Sequence, residues 1–331
     1  MCCYAGKIIL TQPSPQLDLS IIVVSWNVID LLQACLQSIA DSDVSFNQAT
    51  NDKLNIEVIV VDSASDDNTI QMVKTDFPFV RLLPQSENVG FTKGNNIGLE
   101  VANGRHLLLL NPDTEIIGDA LQQMVKYLDQ EQEVGIVGPH TLNTDGSTQS
   151  SRRHFPTIAL AFFESTWLQH FAPKSMLDHF YVATQSDNGV YDVDWVQGSA
   201  LMARREVYEQ IGGLDTGYIM FSEELDWCKR AKNANWRVVY DGQAQITHHG
   251  GKSTEQVVAN KHIYFQQSKL RYFRKFHGRS IAFVLRIYLL TLYVFQLTLE
   301  GIKSLLGSKR EMRRDRIKAY WQVLRSGLKA N

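Results

Sequence analysis

Cysteine is scarce in this chain, and the few present form no pattern. Cys2, Cys3, Cys35 and Cys228 show neither CxxC pairing nor metal-site spacing. That excludes a disulfide framework or a structural zinc site and predicts reduced thiols in a cytosolic protein. An excess of either charge is also missing. With 33 Lys+Arg against 35 Asp+Glu the formal net charge is −2, so nucleic acid is not an expected partner. Met1 to Gln16 has no basic stretch followed by a continuous apolar core; residues 1–17 read as a loose leader with Pro13 and Pro15, not as a secretory signal. What remains is an ordinary globular composition, 44% hydrophobic and 21% charged over 331 residues, enough for one large domain plus an appendage, or for two domains.

Apolar β-branched runs alternate with helical patterns. Ile21 to Val24, Ile56 to Val61, Val80 to Leu83 and Leu107 to Leu110 read as strands. Helices are expected over Leu31 to Ile39, about Asn68 to Lys74, Gly90 to Ala102 and Gly118 to Gln130, with another strand at Val134 to Val137. This alternation predicts an α/β fold with a Rossmann-like, mostly parallel central sheet flanked by helices. Residues 140–190, rich in Asn, Asp, Gly and Ser, read as long loops. Order returns with a strand over Val193 to Met202, a helix over Ser222 to Asn233, and short closing strands at Arg237 to Tyr240 and Gln245 to Thr247.

Four leucines, Leu107 to Leu110, run into Asn111-Pro112-Asp113. A buried parallel strand ending in an acid delivers a carboxylate to the edge of the sheet where ligands collect. Asp113 fits as direct ligand of a Mg²⁺ or Mn²⁺ ion, which typically takes one or two carboxylates plus phosphate oxygens and water. A second acid, Asp62, ends the strand at Ile56 to Val61; it suits a uracil or thymine N–H or a ribose hydroxyl. Asp66 and Asp67 read as helix caps. The third cluster is Ser222-Glu223-Glu224-Leu225-Asp226, in which Glu223 and Asp226 share a helix face and Ser222 is the expected N-cap. It can be a set of first-turn acids complementing the helix dipole. Its place after Gly212-Gly213-Leu214-Asp215 favours a substrate-facing role.

Asn88-Val89-Gly90-Phe91-Thr92-Lys93-Gly94-Asn95 is not followed by GK[ST], so it is no Walker loop, but its amides at a helix N-terminus suit a ribose-diphosphate. His248 and His249, beside Gly250 and Gly251, offer metal or phosphate contacts. Arg152 and Arg153 read either as a clamp on an anionic ligand or as a solvated charge pair. Ile281 to Leu299 is nearly all apolar apart from Arg286 and Gln296, and eight Lys/Arg against Glu311 and Asp315 follow between Gly307 and Asn331. Residues 255–331 therefore read as a C-terminal helical region that lies on the cytoplasmic face of a membrane, or else as a helical hairpin capping the domain or pairing subunits.

In order along residues 18–254, the stretches SIIVVSWN, VIVVDSASDDNT, ENVGFTKGNNIG, LLLLNPDT, WVQGSALMARREVYEQIGGLD, FSEELDWCKR and THHGGKST resemble the inverting family 2 glycosyltransferases of GT-A fold, especially rhamnosyltransferase-like members. The resemblance implies that Asp62 recognises a pyrimidine base, with Ser25, Asn27 and Ser65 lining the nucleotide pocket. It sets Asn88, Gly90, Asn95 and Asn111 beside the nucleotide-sugar and Trp195, Gln197 and Gly198 on the sugar or acceptor side. Asp113 would close the family's DXD-type metal motif, whose first acid is Asn111 here, and His248 would be a further metal or diphosphate ligand. Glu224 takes the position of the general base, with Glu223 and Asp226 in reserve. The implied reaction moves a sugar from a nucleotide-diphosphate donor, dTDP-rhamnose or a UDP-sugar, to a glycan or lipid-linked acceptor in cell-surface polysaccharide synthesis. Two other readings are a sugar nucleotidyltransferase, which wants a basic glycine-rich loop where Ser25-Trp26-Asn27 stands, and a non-catalytic nucleotide-sugar-binding scaffold.

Overall fold

The structure, a computed structural model, describes residues 17–48, 53–250, 258–305 and 310–329. Most of the expected leader, Cys2, Cys3 and the end of the THHGGKST stretch lie outside the described residues. Strands β1 (Leu19–Ser25), β2 (Val44–Phe46), β3 (Leu54–Asp62), β4 (Val80–Pro84) and β5 (His106–Leu110) form the parallel half of an eleven-stranded sheet. β1 lies between β3 and β5, with Val23 opposite both Val60 and Leu110. All seven β1 residues and all five of β5 are buried, as expected of strands covered on both faces.

The second half is mixed. β6 (Thr114–Ile117), β7 (Val134–Leu142), β8 (Thr148–Gln149), β10 (Val190–Val193), β12 (Ala200–Arg204) and β13 (Arg237–His248) complete the sheet, and β9 (Arg152–Arg153) pairs with β11 (Trp195–Val196) in a small second one. β12 runs antiparallel to β5, Ala200 opposite Leu110. The two closing strands expected at 237–247 are one strand, β13, with a register shift between Asp241 and Gln245. The single strand expected over Val193 to Met202 falls in three short pieces, because the chain bends at Asp194 and turns at Gly198-Ser199. The long loops expected over 140–190 contain helices α5 (Ile158–Phe163) and α6 (Lys174–Phe180) and a 3-10 turn at Trp167–Phe171; polar composition hid short elements whose apolar contacts come from the C-terminal helices.

Helices α1 (Ile29–Ala40), α2 (Thr69–Asp76), α3 (Gly90–Val101), α4 (Ala120–Gln130), α7 (Arg205–Ile211) and α8 (Glu223–Asn233) cover the sheet. α3 approaches β1 closely: a Cβ on Gly94 would lie 2.7 Å from Val24 Cγ1, and one on Gly98 2.4 Å from Ile22 Cγ2. These glycines let the helix settle on the sheet, and that fixes where its N-terminal residues stand. Gly98→Val should therefore cost about 1–3 kcal/mol in urea unfolding through overpacking; an unchanged midpoint would contradict this close contact.

Three helices, α9 (Val258–His277), α10 (Arg279–Leu305) and α11 (Arg310–Ser326), form the C-terminal region. Leu285, Leu289 and Tyr293 of α10 pack with Leu270 and Phe273 of α9 and Val323 of α11 in a cluster that includes Tyr218 and Leu225. Lys275 of α9 pairs with Asp215 at 2.9 Å and Asp226 at 2.6 Å. The bundle is thus bolted to the back of α8.

Candidate active site

β1 and β3 end in register at Ser25 and Asp62, both fully buried. Asp62 Oδ2 accepts the Ser65 N–H at 3.0 Å. Ser65 Oγ accepts the Asn27 N–H at 3.0 Å, and Asn27 Oδ1 accepts the Asp66 N–H at 2.9 Å. Left-handed backbone at Asn27 and Ala64, φ 52° and 59°, makes these turns tight. Asp67 takes the Ile29 N–H at 3.0 Å and the Thr69 hydroxyl at 2.5 Å, so it serves the starts of two helices, whereas Asp66 contributes its amide and does not cap. Asn88 Oδ1 accepts the Gly90 N–H at 2.9 Å. Asn95 Nδ2 donates to Phe91 O at 3.0 Å.

β6 and the end of β13 bring the next group together, with Thr114 opposite His248. His248 Nε2 lies 3.3 Å from Asp113 Oδ1 and 3.4 Å from Asn111 Nδ2. On the other side of the ring, Nδ1 is 2.6 Å from Gln149 Oε1, and Gln149 Nε2 donates to Asn143 Oδ1 at 2.9 Å. That chain fixes the amide orientation and has Nδ1–H donate to Gln149, so a neutral ring would turn its Nε2 lone pair toward Asp113. Two acceptors so close repel unless a proton or a cation lies between them. Neighbouring ligands of a divalent cation stand about 3 Å apart, which suits this pair. Asn111 Oδ1, buried and without a partner among the described residues, adds an oxygen. No group of three His, Cys, Asp or Glu surrounds a point among the described residues, so such a cation would complete its shell on phosphate and water. His249 is engaged elsewhere, 2.5 Å from Glu115.

The third acid cluster opens α8. Phe221 and Ser222 both have left-handed backbone, φ 70° and 64°. Ser222 makes no side-chain cap bond, contrary to the expected N-cap. Two strained non-glycine residues in succession place Glu223 and Glu224 at the helix start. Burial raises the Glu224 pKa; the N–H groups of Gly198 and Leu225 and the charge of Arg153 act against it. Burial and the neighbouring Glu224 charge hold Glu223 well above the ordinary carboxylate range. Asp226 has a different surrounding: Arg230 at 2.7 Å and Lys275 at 2.6 Å engage its two oxygens. Glu223 and Asp226 share burial as expected, but Asp226 anchors the C-terminal bundle.

The Asn111–Asp113 turn and the glutamates meet across one strand pair. Asn111 N–H donates to Ser199 O at 2.9 Å, and a Cβ on the adjacent Gly198 would lie 3.6 Å from Glu224 Cδ. Trp195 pairs with Arg153, whose guanidinium lies 5.9 Å from the Trp195 ring and 4.7 Å from that of Tyr181. Arg152 is neither a clamp nor solvated: it is buried, paired with Asp187 at 2.9 Å and stacked over Tyr240. Several of the buried polar atoms without a partner among the described residues belong to this region, namely Ser25 Oγ, Asp62 Oδ1, Thr92 Oγ1, Asn95 Oδ1, Asn111 Oδ1, Gln197 Oε1, Ser199 Oγ and one oxygen each of Glu223 and Glu224; others, such as Asn55 Oδ1, His106 Nδ1 and Tyr272 OH, lie elsewhere. Such atoms are costly unless a ligand satisfies them, and those of this region fall along the carboxyl edge of β1, β3 and β5.

A model of glycosyl transferase family 2 matches residues 20–212, more than half of the chain. The chain belongs to this family. It is 28% identical over 210 residues to the N-acetylglucosaminyl-diphospho-decaprenol L-rhamnosyltransferase of Mycobacterium tuberculosis, covering 60% of this chain and 68% of that protein. It is also 28% identical over 194 residues to the low-salt glycan biosynthesis hexosyltransferase Agl10 of Haloferax volcanii, covering 57% of each. Among solved structures, the mannosyltransferase PcManGT of Pyrobaculum calidifontis in complex with GDP-Man and Mn²⁺ aligns with a TM-score of 0.54 at 19% identity, over 96% of this chain and 89% of that one. GalNAc-T7 with UDP, GalNAc and Mn²⁺ aligns with 0.56 at 14% identity, over 94% of this chain and 57% of that one. The fold is the GT-A type expected. This family 2 glycosyltransferase is rhamnosyltransferase-like and acts in glycan or polysaccharide synthesis.

Four features of this candidate site have no signature in the sequence. Gln149 sits on a two-residue strand, and Ser199 follows a broken one. Asn96 clamps the glycine turn, its side chain exchanging bonds of 2.9 and 2.8 Å with the Leu214 backbone. Lys275 is distant in sequence from the Asp226 it neutralises.

Proposed function

We propose that the protein transfers a sugar with inversion from a nucleotide-diphosphate donor to a glycan or lipid-linked acceptor, working at the cytoplasmic face of a membrane. A dTDP-rhamnose donor is favoured by the likeness to the rhamnosyltransferase, with UDP-sugars the alternative. Asp62 would take the pyrimidine N–H through its open Oδ1, with Ser25, Asn27 and Ser65 shaping the base pocket. Asn88, Gly90, Asn95 and Asn111 would lie beside the ribose-diphosphate and sugar, and Trp195 and Gly198 on the acceptor side. Asp113 and His248 would hold Mg²⁺ or Mn²⁺, which when bound supplies Lewis-acid stabilisation of the leaving diphosphate. Glu224 would take the proton of the acceptor hydroxyl as it attacks the anomeric carbon from the opposite side.

The observation that carries this reading is the bond from Asn111 to Ser199, next to Gly198 over Glu224. It brings the turn that carries Asp113 and a carboxylate whose pKa burial raises to either side of a short backbone step, which supports a single displacement between them. A nucleotidyltransferase would want cations after β1, where the turn instead presents Ser25, Trp26 and Asn27. The purified enzyme with Mn²⁺ and a donor panel should release dTDP from dTDP-rhamnose, or UDP from a UDP-sugar, and transfer sugar when acceptor is present. Pyrophosphate formed from a nucleoside triphosphate would replace this reading with nucleotidyl transfer, and no turnover with any donor would leave a scaffold.

A further inference from the structure

Between α9, α10 and the end of α11 an open cleft of about 940 Å³ is lined by Arg271, Arg274, Lys275, Arg279, Arg286 and Lys329, with Asp215 the one lining carboxylate among the described residues. We propose that this cleft binds the phosphate headgroup of an anionic membrane lipid, with the outer face of α10 lying along the acyl chains. The inference rests on the membrane-face reading above and adds a defined lipid site to it.

The cleft is built, not a loose run of surface lysines. Arg271 and Lys275 are fixed by Asp215, at 2.8 and 2.9 Å, and Lys275 also by Asp226. Arg286 Nε donates to Gly327 O at 2.7 Å and Gln267 Nε2 to Lys329 O at 2.9 Å, which stitches the end of α11 to both other helices. Among the described lining residues cations outnumber carboxylates, which suits an anionic ligand. Guanidinium forks match phosphate oxygens in pairs.

The same cleft is apolar along one wall. Phe283 lines it yet is 61% exposed, and Val284, Ile287, Val294 and Phe295 continue along α10 at about half exposure. Trp167 stacks on Phe295 at 5.7 Å and widens the face. Length and hydropathy would let α10 cross a bilayer. Its opposite face, however, is packed on α9 and α11, an arrangement that fits a helix lying flat on the surface. A second copy is a poorer occupant: a two-fold contact sets each patch on its own image, and here that opposes cation to cation.

The test is co-flotation of the full-length protein with vesicles of phosphatidylcholine alone or mixed with phosphatidylglycerol. Binding should require the anionic lipid. Arg274→Glu/Arg279→Glu should weaken it by about tenfold or more, and Arg314→Glu/Lys318→Glu, the same charge change on α11 outside the cleft, should weaken it less. Equal losses in the two variants, or equal binding to neutral vesicles, would overturn the proposal. So would displacement from vesicles by millimolar inorganic pyrophosphate, which would identify a site for a soluble anion. Arg279→Gln/Lys329→Gln, a milder pair, should give the same ranking; thermal unfolding checks that each variant is folded. Metal-dependent nucleotide release, measured on the same preparations, should persist in the cleft variants. Its absence from the unaltered protein would fail the transferase reading while leaving the vesicle result standing.

Discussion

Glu224→Gln should lower turnover by about 10²–10⁴-fold, the usual contribution of a positioned general base, and leave the donor's dissociation constant nearly unchanged. The amide keeps the shape that packs beneath Gly198 but cannot accept the acceptor's proton. The pH dependence gives a sharper test. A base works ionised, so activity rises with pH through its pKa. Burial raises that pKa, so the acid limb of kcat should lie above the ordinary glutamate range and vanish in the Gln variant. Glu223 is buried beside it and raised in turn by the Glu224 charge, but it is Glu224 that lies beneath Gly198 and faces Arg153, so Glu223→Gln should retain the limb. A Glu224→Gln enzyme with near-normal rate, joined to a Glu223→Gln enzyme without the limb, would move the base by one residue. Asp226 cannot inherit the role cheaply, because replacing it would leave Lys275 and Arg230 without their shared partner.

The parallel half of the sheet was legible because its strands announce themselves. Ile21 to Val24 and Leu107 to Leu110 are apolar at every position, as strands buried on both faces must be. Asp62 and Asp113 stand out for the same reason: each is the first acid after such a run. The glutamates could be located, but their division of labour could not. Glu224 meets Gly198, and Asp226 meets Lys275, only through contacts distant in the chain. In the sequence β13 falls into two pieces because Asp241-Gly242 looks like a turn. In the structure it is an irregularity within one strand, held in place by the neighbour β7. Arg152 and Arg153 show the same limit at single-residue scale. Adjacent in sequence, they alternate across β9, so one is buried against Asp187 and Tyr240 and the other lies over Trp195 near Glu224.

Asp113→Ala should remove metal-dependent turnover altogether, a loss of about 10³-fold or more, since several kcal/mol of charge stabilisation on the leaving group go with the cation. Deleting the carboxylate leaves His248 Nε2 and Asn111 Oδ1 at the turn among the described residues, and neither carries negative charge to offset a divalent ion beside a diphosphate. Donor binding in the presence of Mn²⁺ should weaken as well, which separates this variant from Glu224→Gln. Gln149 supplies an independent check on the geometry. It accepts the Nδ1 proton of His248 and so aims the other nitrogen at Asp113. Residues that orient a metal-binding imidazole typically contribute 10–100-fold in metal affinity. Gln149→Ala should accordingly raise the Mn²⁺ concentration needed for half-maximal activity by roughly that factor, with kcat at saturating metal little altered. Turnover in Asp113→Ala that matches the unaltered enzyme and resists EDTA would remove the cation from the reaction and leave the Asp113–His248 contact as a protonated ion pair.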